Sequence, residues 1–442
     1  MARSKKKGKT ERKPRRRIPP PPPNWLYDRQ KGFFGLSILH KTDGSTGLAL
    51  WRAARTARLF VESAPNWREA FRSTGAAKLA DVFSIDASDG GGLHLDEFVR
   101  VRSRAEVPGS EVASACARVG EWAGAEWKKI TELHFAELAA RADPENPAFA
   151  NAAARLCREA SLADRSALWF ERGYRFAVRT GNRTEAVSAL LGYGALMKEC
   201  GRLDEARRWF LRAAKRAART GRKRSAAETR HDLMALAAEA GENVSEIIEH
   251  AQAAVELYPL HSRRLPYLAH DFAFALIQKQ QYSLAYTLLE LFVRVVPKHH
   301  LLPGVATFAW AAAGRGLAHR YEDAERRALA QVEIDHQQAA PSLIFLAQGA
   351  RVLRRWARAE RHAREAIAAA ARMNQPRYEK DARALLAEVL EQRPVPLADV
   401  EMVEVYPLAR HFQVRLRRWK PPRDNGDEGT GHQRARGCRG AD

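Results

Sequence analysis

Two His-Asp doublets are the residues best suited to chemistry. His231-Asp232 stands in RHDLMALA and His270-Asp271 in AHDFAFAL, at an offset of 39 residues. Brought together, they would offer two imidazoles and two carboxylates. Such a donor set suits a divalent metal or the polar backbone of a peptide. The alternative is a duplicated doublet whose aspartate caps or pairs locally. A metal-dependent phosphohydrolase with a His-Asp signature would need further His and Asp ligands on its own helices. A second stretch, DASDGGGLHLDE (Asp86–Glu97), imitates a calcium loop, with Asp86, Ser88, Gly91, Leu93 and Glu97 at the ligand, turn and apolar positions. Gly90 stands where an oxygen ligand belongs, which makes a flexible loop the expectation. The sequence has no G-x-S-x-G elbow, P-loop or G-x-G-x-x-G. No catalytic residue, resident metal or cofactor is assigned.

The formal net charge of this 442-residue chain is +22. Residues 1–17 hold ten Lys or Arg and one Glu, hence +9, leaving +13 for the rest. Lys5, Lys6, Lys7, Arg15, Arg16 and Arg17 in this arm would contact the phosphates of nucleic acid without sequence preference. No aromatic residue interleaves with them to stack on bases. A solvated tail accounts for the same run equally well. Five prolines, Pro19 to Pro23, follow it and read as a stiff polyproline spacer.

The basic start lacks the apolar core of a secretory signal. The longest apolar run, Leu301–Gly314, is too short to span a bilayer and contains Pro303. No membrane insertion is expected, and the location expected is cytoplasmic. Cys116, Cys157, Cys200 and Cys438 are widely spaced, which suits a reducing compartment and argues against a disulfide framework or zinc ribbon.

The elements that would position these groups are helices, and they repeat. Trp169-Phe170, Arg172 and Arg179-Thr180-Gly181 recur forty residues on as Trp209-Phe210, Arg212 and Arg219-Thr220-Gly221. A fixed period near 40 marks a stacked array in which each unit buries its apolar face against its neighbours.

The stretch 190–213 (LLGYGALMKECGRLDEARRWFLRA) resembles a tetratricopeptide repeat, two antiparallel helices joined by a short turn. Leu190, Tyr193-Gly194, Met197, the turn residue Gly201, Ala206, Phe210 and Ala213 carry the resemblance. Gly194 and Ala206 are small enough for the two helices to close together. Phe210 is expected to fill the space toward the next repeat. Similar runs recur through Phe272-Ala273, Tyr321-Ala324 and Leu346-Ala347. The turn glycine is missing at Gln280 and Arg354, and the period drifts from 40 toward about 35.

The expected organisation is a disordered basic, proline-rich arm (1–23), an irregular helical region (24–110) and a repeat array with a capping helix (111–391). An unassigned segment (392–420) and a disordered tail (421–442) follow. The expected fold class is all-α, a right-handed α-solenoid of tetratricopeptide-type helix pairs. In that family the first helices line a concave face that usually takes the ligand. The resemblance would put Lys198, Glu199, His231, Asp232, His270, Asp271, Phe274, Phe345, Gln348 and Arg351 there. It implies a non-enzymatic scaffold for another protein or peptide. One alternative is a regulator whose basic arm touches nucleic acid while the repeats sense a protein or peptide. Another is a metal-dependent enzyme built on the doublets.

Overall fold

The computed structural model of the chain describes residues 18–22, 44–63, 66, 95–102, 106–126, 128–221, 223–241, 243–296, 301–332, 336–373, 375–395 and 405–420. All regular structure among them is helical. Helices α1 (Gly44–Ser63) and α2 (Asp96–Arg102) precede a run of paired helices. The pairs are α3 (Gly109–Ala125) with α4 (Lys129–Ala142), α5 (Pro147–Glu159) with α6 (Ala163–Arg179), and α7 (Arg183–Glu199) with α8 (Leu203–Thr220). Next come α9 (Lys223–Glu239) with α10 (Val244–Leu257), and α11 (Leu265–Gln278) with α12 (Tyr282–Val295). Then follow α13 (Leu301–Gly314) with α14 (Ala318–Val332), and α15 (His336–Val352) with α16 (Trp356–Arg372). Helix α17 (Pro376–Leu390) and helix α18 (Tyr406–Arg418) complete the order. Each helix from α1 to α16 packs on the next, and from α5 onward each first helix also touches the first helix of the following pair. That pattern makes the chain an all-α solenoid.

One backbone device sets the register. A residue with left-handed φ closes each first helix from α5 onward: Ser161, Gly201, Gly241, Gln280, Gly316, Arg354 and Gln392, with φ between 50° and 73°. The next residue's N–H then reaches back five positions, as in Arg202 to Met197 O (2.9 Å), Gln281 to Leu276 O (2.8 Å) and Arg355 to Ala350 O (2.9 Å). This bond satisfies a carbonyl that the helix end would otherwise leave unpaired. The closing residues are spaced 40, 40, 39, 36, 38 and 38 apart.

Small residues let the helices approach, and aromatic rings fill what remains. Ala206, Ala213, Ala285, Ala359 and Ala363 are fully buried. A Cβ added at Gly194 would lie 2.3 Å from the Phe210 ring, and one at Gly192 would lie 2.0 Å from the Phe170 ring. Phe210 therefore fills the gap inside its own helix pair, not the space toward the next repeat. Phe170 on α6 reaches forward to α7 instead.

Both ends of the described chain return to the array. Within the expected arm, Ile18–Pro22 lie against α4 and α6, where Pro22 is buried. At the other end α18 packs on α12 and touches α10 and α11. The choice left open there between strand and broken helix falls to a helix. Pro407 sits in its first turn, where its missing N–H leaves no bond unmade. Phe412 stacks on Phe272 with ring centres 5.1 Å apart. Arg415 donates to the carbonyls of Val255 (2.7 Å) and Tyr258 (2.6 Å).

Residues 1–17, most of the calcium-like loop (86–94) and the tail 421–442 lie outside the described residues. The last ligand position of the calcium-like loop, Glu97, is in α2 and pairs with Arg118. Among the described residues no helix is long and apolar enough to cross a membrane.

Candidate functional site

The closing turns give each first helix a common ruler. His231 and His270 each stand ten residues before their turn residues, Gly241 and Gln280. Asp232, Asp271, Thr307 and Phe345 stand nine before theirs. Phe274, Trp310 and Gln348 stand six before. Positions six, nine and ten before the turn are spaced i, i+3 and i+4, so they share one helix face.

Across this face the side chains connect in a stagger. The Nε2 of His231 on α9 lies 2.9 Å from Oδ2 of Asp271 on α11. The Nε2 of His270 on α11 lies 3.2 Å from the Thr307 hydroxyl on α13. Each histidine thus reaches the position one step on in the following repeat. His270 also meets its own neighbour, with Nδ1 2.9 Å from Asp271 Oδ1. The result is a polar ladder over three first helices, in which imidazole meets carboxylate or hydroxyl and like does not stack on like. Leu233 and Phe272, which follow the doublets, are buried in the core.

Asp271 collects two imidazole N–H donors. Burial disfavours its charge, but the hydrogen bonds from His231 and His270 outweigh this and hold the carboxyl well below the usual range. Thr307 also bonds the Pro303 carbonyl at 2.7 Å. Its single proton can go to Pro303 or to His270 Nε2, so the threonine follows the tautomer of the histidine. Asp232 differs from its copy. The rung position before it holds apolar Leu191. Burial pushes the Asp232 carboxyl up, opposed by His231, Lys198 and Arg264. Among the described residues it has no hydrogen-bond or ion-pair partner.

A second row of rungs runs nearer the turns. Arg158 is three residues before Ser161 and bonds Glu199, two before Gly201. Lys198, three before Gly201, faces Glu239, two before Gly241, at 3.9 Å. Arg351, three before Arg354, bonds Glu388 on α17 (2.6 Å) and the Arg393 carbonyl just beyond that helix (3.0 Å). Burial raises the Glu199 carboxyl, against the pull of Arg158.

These rows border a cavity of about 610 Å³. Helices α5 and α7 with the turn after α7 contribute Arg158, Leu196, Glu199 and Cys200; α11 and α12 contribute Tyr267, His270 and Phe292. The start of α17 supplies Arg377 and Tyr378. Arg377 bonds Glu239 at 2.5 Å, so α17 bridges back across the cavity to the end of α9. Further along the array the same helix face turns aromatic. Phe274, Trp310 and Phe345 cluster with ring centres 5.2 to 6.2 Å apart, and half-buried Gln348 lies one turn from Phe345.

Of the residues picked from sequence, the structure joins His231, His270 and Asp271 in one network. It joins Lys198 and Glu199 to the lower rungs, and Phe274 to Phe345. Arg351 is buried in an ion pair at the far end rather than open to a ligand. Sequence reasoning missed Arg158, Tyr267, Arg377 and Tyr378. Arg158 occupies the same register position as Lys198 and Arg351, and that signal was hidden because Ser161 replaces the turn glycine. The position of Arg377 depends on the curvature of the whole array and has no local signal. Among the described residues no group of three or more His, Cys, Asp or Glu is placed to hold a metal.

No protein-family model matches the sequence, and no curated protein does either. Among solved structures the chain is similar to the Rap conjugation gene regulator of plasmid pLS20 in complex with the Phr* peptide. The identity is 13%, the match covers 78% of this chain and 96% of that chain, and the TM-score is 0.48. It is also similar to a circular tandem repeat protein with novel repeat topology, at 18% identity, 85% and 95% coverage and a TM-score of 0.16. The class is therefore given by the helix order itself: an all-α solenoid with a cavity lined mainly from its first helices.

Proposed function

We propose that the chain is a tetratricopeptide-type, right-handed solenoid that works without catalysis as a binding scaffold in the cytoplasm. Its ligand is an extended segment of another protein or peptide, held in the cavity between the first helices. One observation carries this reading: charged, hydroxyl and apolar side chains from widely separated repeats converge on one preformed space. An extended peptide carries unpaired N–H and C=O groups along its length and needs alternating polar and apolar partners. Tyr267, Tyr378 and Arg377 offer the polar contacts, while Leu196 and Phe292 offer apolar ones. A space of this size lies within the range of pockets that hold small ligands, which suits a few residues of peptide. Most inner ion pairs are already satisfied laterally, so the walls are rigid and binding requires little reorganisation.

Selection of random dodecapeptides on the immobilised chain tests this. Enriched peptides should bind saturably and lose at least tenfold affinity when Tyr378→Ala and Tyr267→Ala are combined. They should be unaffected by Arg208→Ala, an exposed change on α8. If nothing is enriched, or if the cavity variant binds the enriched peptides equally well, the groove is not the binding site.

A further inference from the structure

The segment Ile18–Pro22 lies against α4 and α6, the second helices of the first two pairs. Polyproline II has three residues per turn and no internal hydrogen bonds, so carbonyls i and i+3 point the same way and lack partners. The contacts have this spacing. Arg172 on α6 donates to the Pro19 carbonyl at 2.5 Å, and Arg141 on α4 donates to the Pro22 carbonyl. Pro22 is buried, whereas Pro20, between the two contact points, is exposed.

The receiving surface is built. The Arg172 guanidinium lies over the Trp169 and Phe176 rings, at 5.8 Å and 5.3 Å from their centres. Neither Arg141 nor Arg172 forms an ion pair with a described residue, and the Nε of each is buried without a hydrogen-bond partner. A buried cation lacking a carboxylate is costly unless neutral acceptors solvate it. The carbonyl next to a proline nitrogen is such an acceptor, and a polyproline helix presents a row of them with little conformational entropy to lose.

We propose that the α4–α6 face is a receptor for polyproline II segments. Its resident occupant is the chain's own Ile18–Pro22, and a proline-rich segment of another polypeptide competes for it. Among the described residues two donated hydrogen bonds and one buried proline hold the resident segment, a small contact that an incoming segment can replace. This does not depend on the cavity, whose lining includes none of Arg141, Trp169, Arg172 and Phe176.

The test uses the full-length chain carrying Pro19→Gly, Pro20→Gly, Pro21→Gly and Pro22→Gly, which removes the preorganised occupant. A fluorescein-labelled Ile-Pro-Pro-Pro-Pro-Pro peptide is titrated and its anisotropy followed. Binding to the glycine-substituted chain should be saturable, and at least tenfold weaker to the unsubstituted chain, whose site is filled. Adding Arg141→Gln should weaken binding about tenfold, equivalent to about 1.4 kcal/mol. Arg172→Lys should do the same while keeping the charge, because a lysine cannot hold the planar stack. Far-UV circular dichroism confirms the fold of each variant. If Arg172→Lys misfolds, Arg141→Gln, at a half-buried site, decides alone. Absence of binding to the glycine-substituted chain, or equal binding after Arg141→Gln, would overturn the proposal, as would equal binding of an Ile-Ala-Ala-Ala-Ala-Ala peptide.

Discussion

Asp271 is where two repeats are electrostatically joined, because imidazoles from α9 and α11 both donate to it. Its carboxyl is depressed by those bonds, so it contributes stability above the unfolded carboxylate pKa of about 3.9. That contribution is lost as the pH falls through the lower folded value. Asp271→Asn should therefore lower the midpoint of thermal unfolding at pH 6 to 7, and the gap to the unsubstituted chain should close below about pH 4. The side chain is 40% exposed, and solvent screening puts the cost at about 1 kcal/mol, below the ~1.5–3 kcal/mol of bonds to a charged group. A gap that persisted unchanged to pH 3 would show that the carboxylate charge is not the source. The doublets themselves were visible in sequence as a repeated word. The bond from His231 to Asp271 was not, because it depends on a stagger of one position between neighbouring helices, which no spacing within one repeat reveals.

Helices and their turns were the most legible level. The period located the turns even where glycine is absent, and Gln280 and Arg354 do take the left-handed conformation. Ser161 and Gln392 do the same, but neither residue type signals a helix end. The expectation about Phe210 failed for a steric reason. Gly194 leaves a recess on the partner helix, and a ring fills the nearest void before it reaches the next repeat. Left-handed backbone costs an ordinary residue roughly 1–2 kcal/mol that glycine avoids. Arg354 is exposed, so its side chain contributes little to offset this. Arg354→Gly should raise stability by about 1 kcal/mol, read as a higher urea midpoint at unchanged m-value. A lower midpoint would mean that glycine's extra freedom in the unfolded chain outweighs the relieved strain.

A solenoid has no intrinsic reason to close, since each repeat touches only its neighbours and small rotations accumulate freely. Here two contacts between distant parts of the sequence oppose that freedom. Helix α18 packs on α12 and reaches α11 through Phe412 and the end of α10 through Arg415, and Arg377 at the start of α17 bonds Glu239 at the end of α9. The second ties the start of α17, which lines the cavity, to the end of α9. Neither was legible in the sequence, because local patterning specifies repeats and not the curvature they add up to. Arg377→Glu places two carboxylates together, and like charges at that range repel. The single variant should open the array, seen as a larger radius of gyration in small-angle scattering, while helicity by circular dichroism stays unchanged. Combining it with Glu239→Arg restores opposite charges in swapped places and should return the radius toward the original value. Salt should narrow the difference between the single variant and the parent, because the pair is partly exposed and screened. If the single variant scatters like the parent at low salt, the curvature is held by α18 and core packing, and the ion pair only decorates a cavity already shaped.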